Sequence, residues 1–468
     1  MNVNILTLAL LSASMASAEI RAAPEKDIHA DIFRNGDRWT AAGDSITQGG
    51  AYCAWIYLFY ATRFPEMKID VSNAGNSGDS ADGGLIRYDW DIRPHKPTVA
   101  TIMFGMNDVR RELYGDIQDT AELAARRTEA LQKYRRNMTA LASRLKADGT
   151  RIIFVTPSPY DENMKCKTQS LSGVNWALAE CGTFMRKLAA DIGGSVIDLN
   201  GPMTALNAKM QASNPESSLI KQDRVHPSEV GHFAMAYFFL KGQHVPGIVS
   251  SLTVDATASR VTESINATVE KLLVGDKGVS FTMTAKALPY PVGKELEPAL
   301  ALVPFQDELN REILKVSGLS AGDYQMLIDG KEVRRYSADA LSKGVNLSLE
   351  KNTPQMLQSA CVLELMRQWH KLMSGEVRLI ANFEFWRLGD VPHPISLDAV
   401  RPRLEQEMRK LKDSSIESDR WALDWYMRYM ETKPNEAQDL AKLADLAEQI
   451  RLAARPQPHS YQLQPASK

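Results

Sequence analysis

The feature of this sequence that most constrains its fold is the alternation of strand-like and helix-like segments across residues 37–247. Two runs of β-branched and apolar residues, at 98–104 and 151–156, are typical of strands that are buried on both faces. The segments between such runs have the length and spacing of helices, at 51–63, 120–148, 172–191 and 229–241. Strands that alternate with helices in this way predict a parallel sheet with helices on both faces.

The pattern changes after residue 247. Residues 251–349 alternate in the manner of strands, and Asp329-Gly330, between two such runs, is a strong hairpin signal. Helical patterns then dominate, and a Pro- and Gln-rich end predicts a frayed tail. The sequence therefore predicts an α/β domain at 25–248, a β-rich unit at 249–350, a helical region at 351–455 and a flexible tail at 456–468.

The length and the charge of the chain narrow its possible functions. At roughly 150 residues per domain, 468 residues predict about three domain-sized units. The 55 Lys and Arg residues nearly balance the 57 Asp and Glu residues, which gives a net charge of −2. We therefore have no electrostatic reason to expect nucleic acid or an acidic membrane surface as a partner.

Residues 1–18 predict a signal peptide. A short apolar run at 5–11 precedes Ala16-Ser17-Ala18, which matches the small-residue pattern of a cleavage site. The run is shorter than the about 20 apolar residues that span a bilayer, and no lysine or arginine precedes it. We expect a bacterial protein that is exported to the periplasm or secreted and has no integral membrane segment.

The four cysteines do not form a CxxC motif. In an exported protein, Cys166 and Cys181 are the one plausible local disulfide pair. Cys53 and Cys361 lie in apolar surroundings, which favours buried thiols.

A first motif, Gly43-Asp44-Ser45, follows the first predicted strand directly. A serine in that turn is presented at the carboxyl edge of a parallel sheet, where such folds place ligands. The N–H groups at the start of the next helix could stabilise a developing oxyanion. Taken alone, this tripeptide is more typical of a turn and a helix cap than of a nucleophile.

Two further motifs follow the next predicted strands. The Gly-rich segment 73–80 contains Gly78, which can bring a backbone N–H close to a ligand. Gly105-Met106-Asn107-Asp108 contains an asparagine whose side-chain N–H could bind an oxyanion. Each of them, taken alone, also fits an ordinary turn at a strand end.

A fourth motif places Asp223 three residues before His226, just ahead of a predicted helix. The carboxylate can fold back and accept the Nδ1–H, which leaves Nε2 free as a general base. A helix-capping aspartate beside a surface histidine is the structural alternative. A metal site that adds His232 has weak support, because this residue is expected to pack on the helix.

The four motifs together supply a nucleophile, two oxyanion donors, a base and a residue that orients the base, which is the set that acyl transfer needs. On these motifs the sequence resembles the SGNH (GDSL-like) hydrolase family, and in particular its bacterial exported carbohydrate-esterase-like members. The resemblance covers about residues 37–247. It implies a flavodoxin-like three-layer sandwich, with the β-rich and helical regions following it.

The resemblance also implies a role for each motif residue. Ser45 would be the nucleophile, His226 the base and Asp223 the residue that orients it. The oxyanion hole would combine the Ser45 N–H, the Gly78 N–H and the Asn107 side chain. The supporting residues would be Asp44, Asp79 and Asp108. No metal and no organic cofactor is implied.

The implied activity is hydrolysis of a short acyl ester, in the first place an acetyl ester of a carbohydrate or of a similar small molecule. The alternatives are a lipase-like or lysophospholipase-like esterase and a carbohydrate-binding surface protein with a decayed hydrolase domain. Aromatic residues near the first two motifs could stack on sugar rings or could simply pack in the core: Tyr52, Trp55, Tyr88 and Trp90.

The helical region carries more apolar surface than a solvated linker would. Its residues 421–429 include two tryptophans and two tyrosines, which must be covered within the chain or in an oligomer. We expect this region to pack against the α/β domain and to shape the rim of its cleft. An oligomer formed through these helices is also possible.

Overall fold

The computed structural model of the chain describes residues 32–412 and 414–466. The predicted signal peptide at 1–18 and the first residues of the predicted α/β domain lie outside the described residues. No helix in the described ranges is long and apolar enough to cross a membrane.

A five-stranded parallel sheet forms the N-terminal α/β unit, in the order β2–β1–β3–β4–β5. This order is that of flavodoxin-like folds, and it confirms the predicted fold class. Its strands are β1 (Arg38–Gly43), β2 (Asp70–Gly75), β3 (Val99–Met103), β4 (Arg151–Val155) and β5 (Ser195–Ile197). Its helices are α1 (Ser45–Gly49), α2 (Ala51–Arg63), α3 (Ala81–Ile86), α4 (Ala121–Ala147), α5 (Val174–Ile192), α6 (Asn200–Ser213) and α7 (Glu229–Gly242).

The helices cover the sheet because their apolar residues recur at helical spacing. In α4, Tyr134, Met138 and Leu141 are buried, whereas most other side chains of this helix face solvent. The hydroxyl of Thr120 caps the helix by accepting the Leu123 N–H. Such a stripe packs on one face of the sheet and leaves the opposite side of the helix polar.

The strand order determines where the motifs meet. Because β1 lies between β2 and β3 and all three strands run in the same direction, their carboxyl ends share one edge of the sheet. The loops that carry Ser45, Gly78 and Asn107 start at these three ends. The fold therefore brings together three motifs that are far apart in the sequence.

Two further sheets form the β-rich unit, in the orders β13–β10–β6–β7 and β12–β11–β14–β9–β8. The predicted hairpin at Asp329-Gly330 is confirmed, with φ of 51° and 75° at its two residues, as a primed turn requires. Its elements are β6 (Ile248–Asp255), β7 (Arg260–Ile265), β8 (Ala267–Gly275), β9 (Gly278–Ala285), α8 (Phe305–Leu309), β10 (Arg311–Ser317), β11 (Asp323–Ile328), β12 (Lys331–Ser337), α9 (Ala338–Lys343), β13 (Val345–Asn346) and β14 (Pro458–Pro465).

The prediction of a flexible tail at 456–468 is wrong for most of that segment. Strand β14 lies between β9 and β11 and pairs with both. Tyr461 and Leu463 are buried in the core of the β-rich unit. Their spacing of two residues is a strand signal that the proline- and glutamine-rich composition obscured.

The C-terminal helical region shares a hydrophobic core with the α/β unit, as expected. Trp369 packs edge-on against Tyr57 of α2, with ring centroids 5.3 Å apart. A helix as apolar as α2 has to be covered, and α10 packs on it. The helices are α10 (Pro354–Lys371), α11 (Arg378–Arg387), α12 (Leu397–Lys412), α13 (Glu417–Thr432) and α14 (Glu436–Ala453).

All four cysteines lie in the described part of the chain, and all four are free. The suggested pair, Cys166 and Cys181, is therefore not bonded in this structure. The expectation of a buried thiol holds for Cys53 and is wrong for Cys361, which faces solvent from α10.

Candidate active site

Ser45 lies at the first position of α1, directly after the end of β1. Asp44 caps this helix, because its Oδ1 accepts the Ile46 N–H at 3.0 Å. A Cβ atom on Gly43 would lie 2.7 Å from the Met103 carbonyl oxygen, so a side chain there would force β1 and β3 apart. The turn therefore needs glycine, and it leaves the Ser45 side chain partly exposed.

The structure brings Ser45, His226 and Asp223 into one hydrogen-bonded line. Ser45 Oγ lies 2.8 Å from His226 Nε2, and His226 Nδ1 lies 2.7 Å from Asp223 Oδ2. A carboxylate can only accept, so it places the ring proton on Nδ1. Nε2 is then free to accept the Ser45 hydroxyl proton.

Asp223 is held in place by the backbone that follows it. Its Oδ1 accepts the N–H groups of Val225 and His226, both at 2.9 Å. Partial burial opposes ionisation of Asp223, but these two hydrogen bonds and the interaction with the His226 side chain together outweigh it and hold the pKa of the carboxyl below its usual value. The group is therefore a carboxylate at neutral pH, oriented towards the imidazole.

Gly78 is an exposed residue of the second motif, with a φ of +78°. A Cβ atom there would lie 3.3 Å from Cζ2 of Trp386, which belongs to α11. Both the left-handed backbone and this close indole ring favour glycine at the position. The N–H of the preceding Ser77 donates to Gln48 Oε1 at 2.6 Å, which ties the loop to α1.

Asn107 reaches the same loop from the end of β3. Its Nδ2 donates one hydrogen to the Asp79 carbonyl oxygen at 2.6 Å. Its Oδ1 accepts from Arg111 Nη1 at 3.1 Å, which orients the amide. Since an amide nitrogen carries two hydrogens, one donor of Asn107 is left over.

The three supporting aspartates hold the loops and are not part of the hydrogen-bonded line. Asp79 accepts the Ser80 N–H at 2.7 Å, and Asp108 accepts the Ala81 N–H at 3.0 Å. Asp108 Oδ2 is buried without a hydrogen-bond partner. Burial raises the pKa of Asp44 to about 6 and that of Asp108 to about 7.

The sequence analysis missed a buried ion network behind the motifs. Arg87 donates to Asp79 at 2.7 Å and to Asp91 at 2.5 Å, and Arg378 of α11 binds the same Asp91 at 2.6 and 2.9 Å. Burial opposes ionisation of Asp91, but the two guanidinium groups outweigh it and hold its pKa well below the usual range. The two arginines also donate to carbonyl oxygens at the ends of β1 and β2, those of Gly43 and Gly75.

The helix α11 also contacts the residues just before Gly78. The Ser77 carbonyl oxygen accepts from Trp386 Nε1 at 2.8 Å and from Asn382 Nδ2 at 3.2 Å. Asn382 Nδ2 further donates to Asn76 Oδ1 at 2.9 Å. No local sequence signal could have found these contacts, because the partners are about 300 residues apart along the chain.

Of the two alternatives left open for the aromatic residues near the first two motifs, core packing holds for three of the four. Tyr52, Trp55 and Tyr88 are buried in the core, and Trp90 stacks on His393 with ring centroids 3.8 Å apart. His232 is buried too, as expected, and its ring lies parallel to that of Tyr52. Within the described residues, no group of three or more His, Cys, Asp or Glu side chains is arranged to hold a metal ion.

Comparisons with known proteins show what the chain is similar to. Residues 41–234 match the model of the GDSL-like Lipase/Acylhydrolase family. The solved structure of a gut microbial diltiazem-metabolizing enzyme has a TM-score of 0.82 and 30% identity, over 93% of this chain and 99% of that one. An acetylxylan esterase from Geobacillus stearothermophilus is 25% identical over 222 residues, which are 44% of this chain and 94% of that enzyme.

The buried carboxyl of Asp108 should make stability depend on pH. Its pKa is raised from 3.8 to about 7, so the folded state keeps a proton that the unfolded chain releases between these values. Its favourable contribution is complete below about pH 4 and is lost as the pH rises to about 7. We expect Asp108→Asn to raise the Tm relative to the native chain more at about pH 8 than at about pH 5, since its amide cannot ionise.

Thermal unfolding of both proteins across this pH range measures the effect, at about 1 °C per kcal/mol for a chain of this length. Asp116→Asn, at an exposed position, is the matched control and should follow the native chain. The raised pKa of Asp108 would be contradicted if the difference in Tm between Asp108→Asn and the native chain did not change with pH.

Proposed function

The chain belongs to the GDSL-like lipase/acylhydrolase family, and from this premise we propose that it is a serine esterase that removes acetyl or similarly short acyl groups from a carbohydrate or a related ring-bearing alcohol. The hydrogen-bonded line Ser45–His226–Asp223, with distances of 2.8 and 2.7 Å, is the observation that carries this proposal. It contains a nucleophile, a base and a residue that orients the base.

In the proposed reaction, Ser45 Oγ attacks the ester carbonyl carbon while His226 Nε2 takes the hydroxyl proton. The imidazolium is stabilised by Asp223. Collapse of the tetrahedral intermediate breaks the bond to the alcohol, which leaves with the proton from His226. Water then attacks the acyl-enzyme with His226 again as base, so that the carboxylic acid is released and Ser45 is restored.

The negative charge on the tetrahedral oxygen needs donors that are already in place. The backbone N–H groups of Ser45 and Gly78 and the free donor of Asn107 would supply them. Because Asn107 is fixed by Asp79 and Arg111, its amide loses little freedom when the oxyanion forms. Removing one such donor typically costs about 10²–10³ in rate.

The C-terminal helix α11 would contribute to this oxyanion hole indirectly. Ser77 C=O and Gly78 N–H belong to the same peptide group, and the carbonyl oxygen accepts from Trp386 and Asn382. Hydrogen bonds to the carbonyl polarise the peptide and strengthen its N–H as a donor. They also fix the direction in which the Gly78 N–H points, so Trp386 and Asn382 are positioning residues.

The similarity to an acetylxylan esterase favours a short acyl group, because acetyl is the acyl group that this relative's name states. The complete hydrogen-bonded line argues against a decayed hydrolase.

We expect Ser45→Ala and His226→Ala to lower kcat/KM for p-nitrophenyl acetate by at least about 10³-fold, because each removes a group that reacts directly. Initial rates at saturating and limiting substrate measure this. Ser143→Ala, an exposed serine on α4, is the control and should keep full activity. Native-level hydrolysis by Ser45→Ala would show that another residue is the nucleophile.

The preference for a short acyl group is tested with a pair of substrates. We expect kcat/KM for p-nitrophenyl acetate to exceed that for p-nitrophenyl octanoate, because ordering a flexible chain costs conformational entropy that the cleft does not repay. Both should lose their turnover in Ser45→Ala. Faster hydrolysis of the octanoate would favour the lipase-like alternative.

The contribution of α11 is tested by Trp386→Phe, which keeps an aromatic ring but loses the N–H that binds Ser77. Since one hydrogen bond is worth about 0.5–1.5 kcal/mol net, we expect kcat for p-nitrophenyl acetate to fall by about three- to tenfold, with a smaller change in KM. Trp176→Phe, an exposed tryptophan on α5, is the matched control. An unchanged kcat in Trp386→Phe would argue against a positioning role.

A further inference from the structure

A cleft of about 720 Å³ opens beside Ser77 and Gly78, and the C-terminal helices form its opposite wall. Helix α11 supplies Trp386, and α13 supplies Trp421 and Trp425. Trp386 is 48% exposed and Trp421 is 64% exposed. Exposed tryptophans gathered around one concave site are typical of ligand binding, because their rings offer flat apolar faces to a ligand.

These rings are held in place before any ligand arrives. Trp425 packs edge-on against the buried Phe383, with ring centroids 5.3 Å apart. Trp421 lies against Trp425 at 5.4 Å, and Trp386 is anchored through its Nε1 to Ser77. Binding to such preorganised faces costs little side-chain entropy.

The charged side chains that line the cleft are both positive. Arg387 and Arg428 line it, and no carboxylate does so among the described residues. The Arg387 guanidinium lies 5.2 Å from the ring centroid of Trp425, and its Nε is buried without a hydrogen-bond partner. Arg428 is exposed and makes no ion pair with the part of the chain that the structure describes.

The size of the cleft indicates which part of an ester would fill it. If the acyl group is acetyl, as proposed above, it adds only a methyl group beyond the reacting carbonyl. Small-molecule sites have volumes of about 300–1,000 Å³, so this cleft has room for a much larger group. The occupant is then the alcohol portion of the substrate.

We propose that the cleft formed by α11 and α13 binds an alcohol that combines a flat-faced ring with a carboxylate, namely an O-acetylated oligosaccharide that contains a uronic acid. The tryptophan faces stack on the sugar rings, and the guanidinium groups of Arg387 and Arg428 bind the carboxylate. This inference rests on the proposed function, and it assigns the choice of substrate to the C-terminal region.

Matched acetyl esters test the charge preference. The first pair is 4-acetoxybenzoate and 4-acetoxybenzamide, which share a ring and differ in charge. The second pair is an acetylated xylo-oligosaccharide with a glucuronic acid residue and the same oligosaccharide without it. Hydrolysis of this pair is measured as release of acetate. We expect the anionic member of each pair to have the higher kcat/KM, and Arg428→Gln to lower the anionic-to-neutral ratio by about tenfold.

The tryptophan faces are tested on the same substrates. We expect Trp421→Ala to lower kcat/KM for both oligosaccharides by about five- to tenfold, chiefly through KM, because stacking surface is lost without loss of charge. The side chains of Arg428 and Trp421 are both exposed, and a Tm equal to that of the native chain would show that each variant is folded. Arg420→Gln, an exposed arginine on α13 that does not line the cleft, is the matched control and should change neither ratio nor KM.

The outcomes separate this inference from the proposed function. Ser45-dependent hydrolysis of p-nitrophenyl acetate without any preference for the anionic esters would overturn the inference and leave the esterase proposal intact. A preference for the anionic aryl ester with none for the uronate oligosaccharide would overturn the assignment to a carbohydrate. If Trp421→Ala impairs only p-nitrophenyl octanoate, the cleft holds an acyl chain and the inference is wrong.

Discussion

Asp91 accepts hydrogen bonds from two buried guanidinium groups, those of Arg87 and Arg378, and the architecture around the site depends on this triad. Burying three charges is tolerated only when each is paired and hydrogen-bonded, and removing one partner of such a group costs about 3–5 kcal/mol. The arginines also donate to Gly43 O and Gly75 O, at the ends of two neighbouring strands. The network therefore joins the loops of the α/β unit to α11.

This connection explains why the chain is longer than the α/β unit that carries Ser45 and His226. The α/β unit supplies the hydrogen-bonded line, whereas the C-terminal helices supply the surroundings of Gly78 and most of the adjacent cleft. Their position is secured by apolar packing, in which Trp369 of α10 lies against Tyr57 of α2. The β-rich unit is completed by β14, which the chain adds after its last helix.

The elements and the residues that could be predicted are each marked by a short-range sequence pattern. Ser45 and Asn107 follow buried strands directly, and Asp223 is only three residues from His226, so strand order and chain direction suffice to bring them together. The features that were missed have weak or conflicting local signals. Strand β14 alternates within a proline-rich composition, and the contacts of α11 with Asp91 and Ser77 join residues about 300 positions apart along the chain.

The sequence by itself determined the parallel sheet, the motif residues at its carboxyl edge and the class of chemistry they imply, because each depends on residue type and short-range spacing. Only the tertiary structure decided what surrounds them. Asp91 and Arg378 are 287 residues apart, and no local pattern pairs them. Likewise, the net charge of −2 does not predict that Arg387 and Arg428 line one cleft. The electrostatic field in a partly desolvated cleft depends on the nearest charges and not on the sum of charges over the chain.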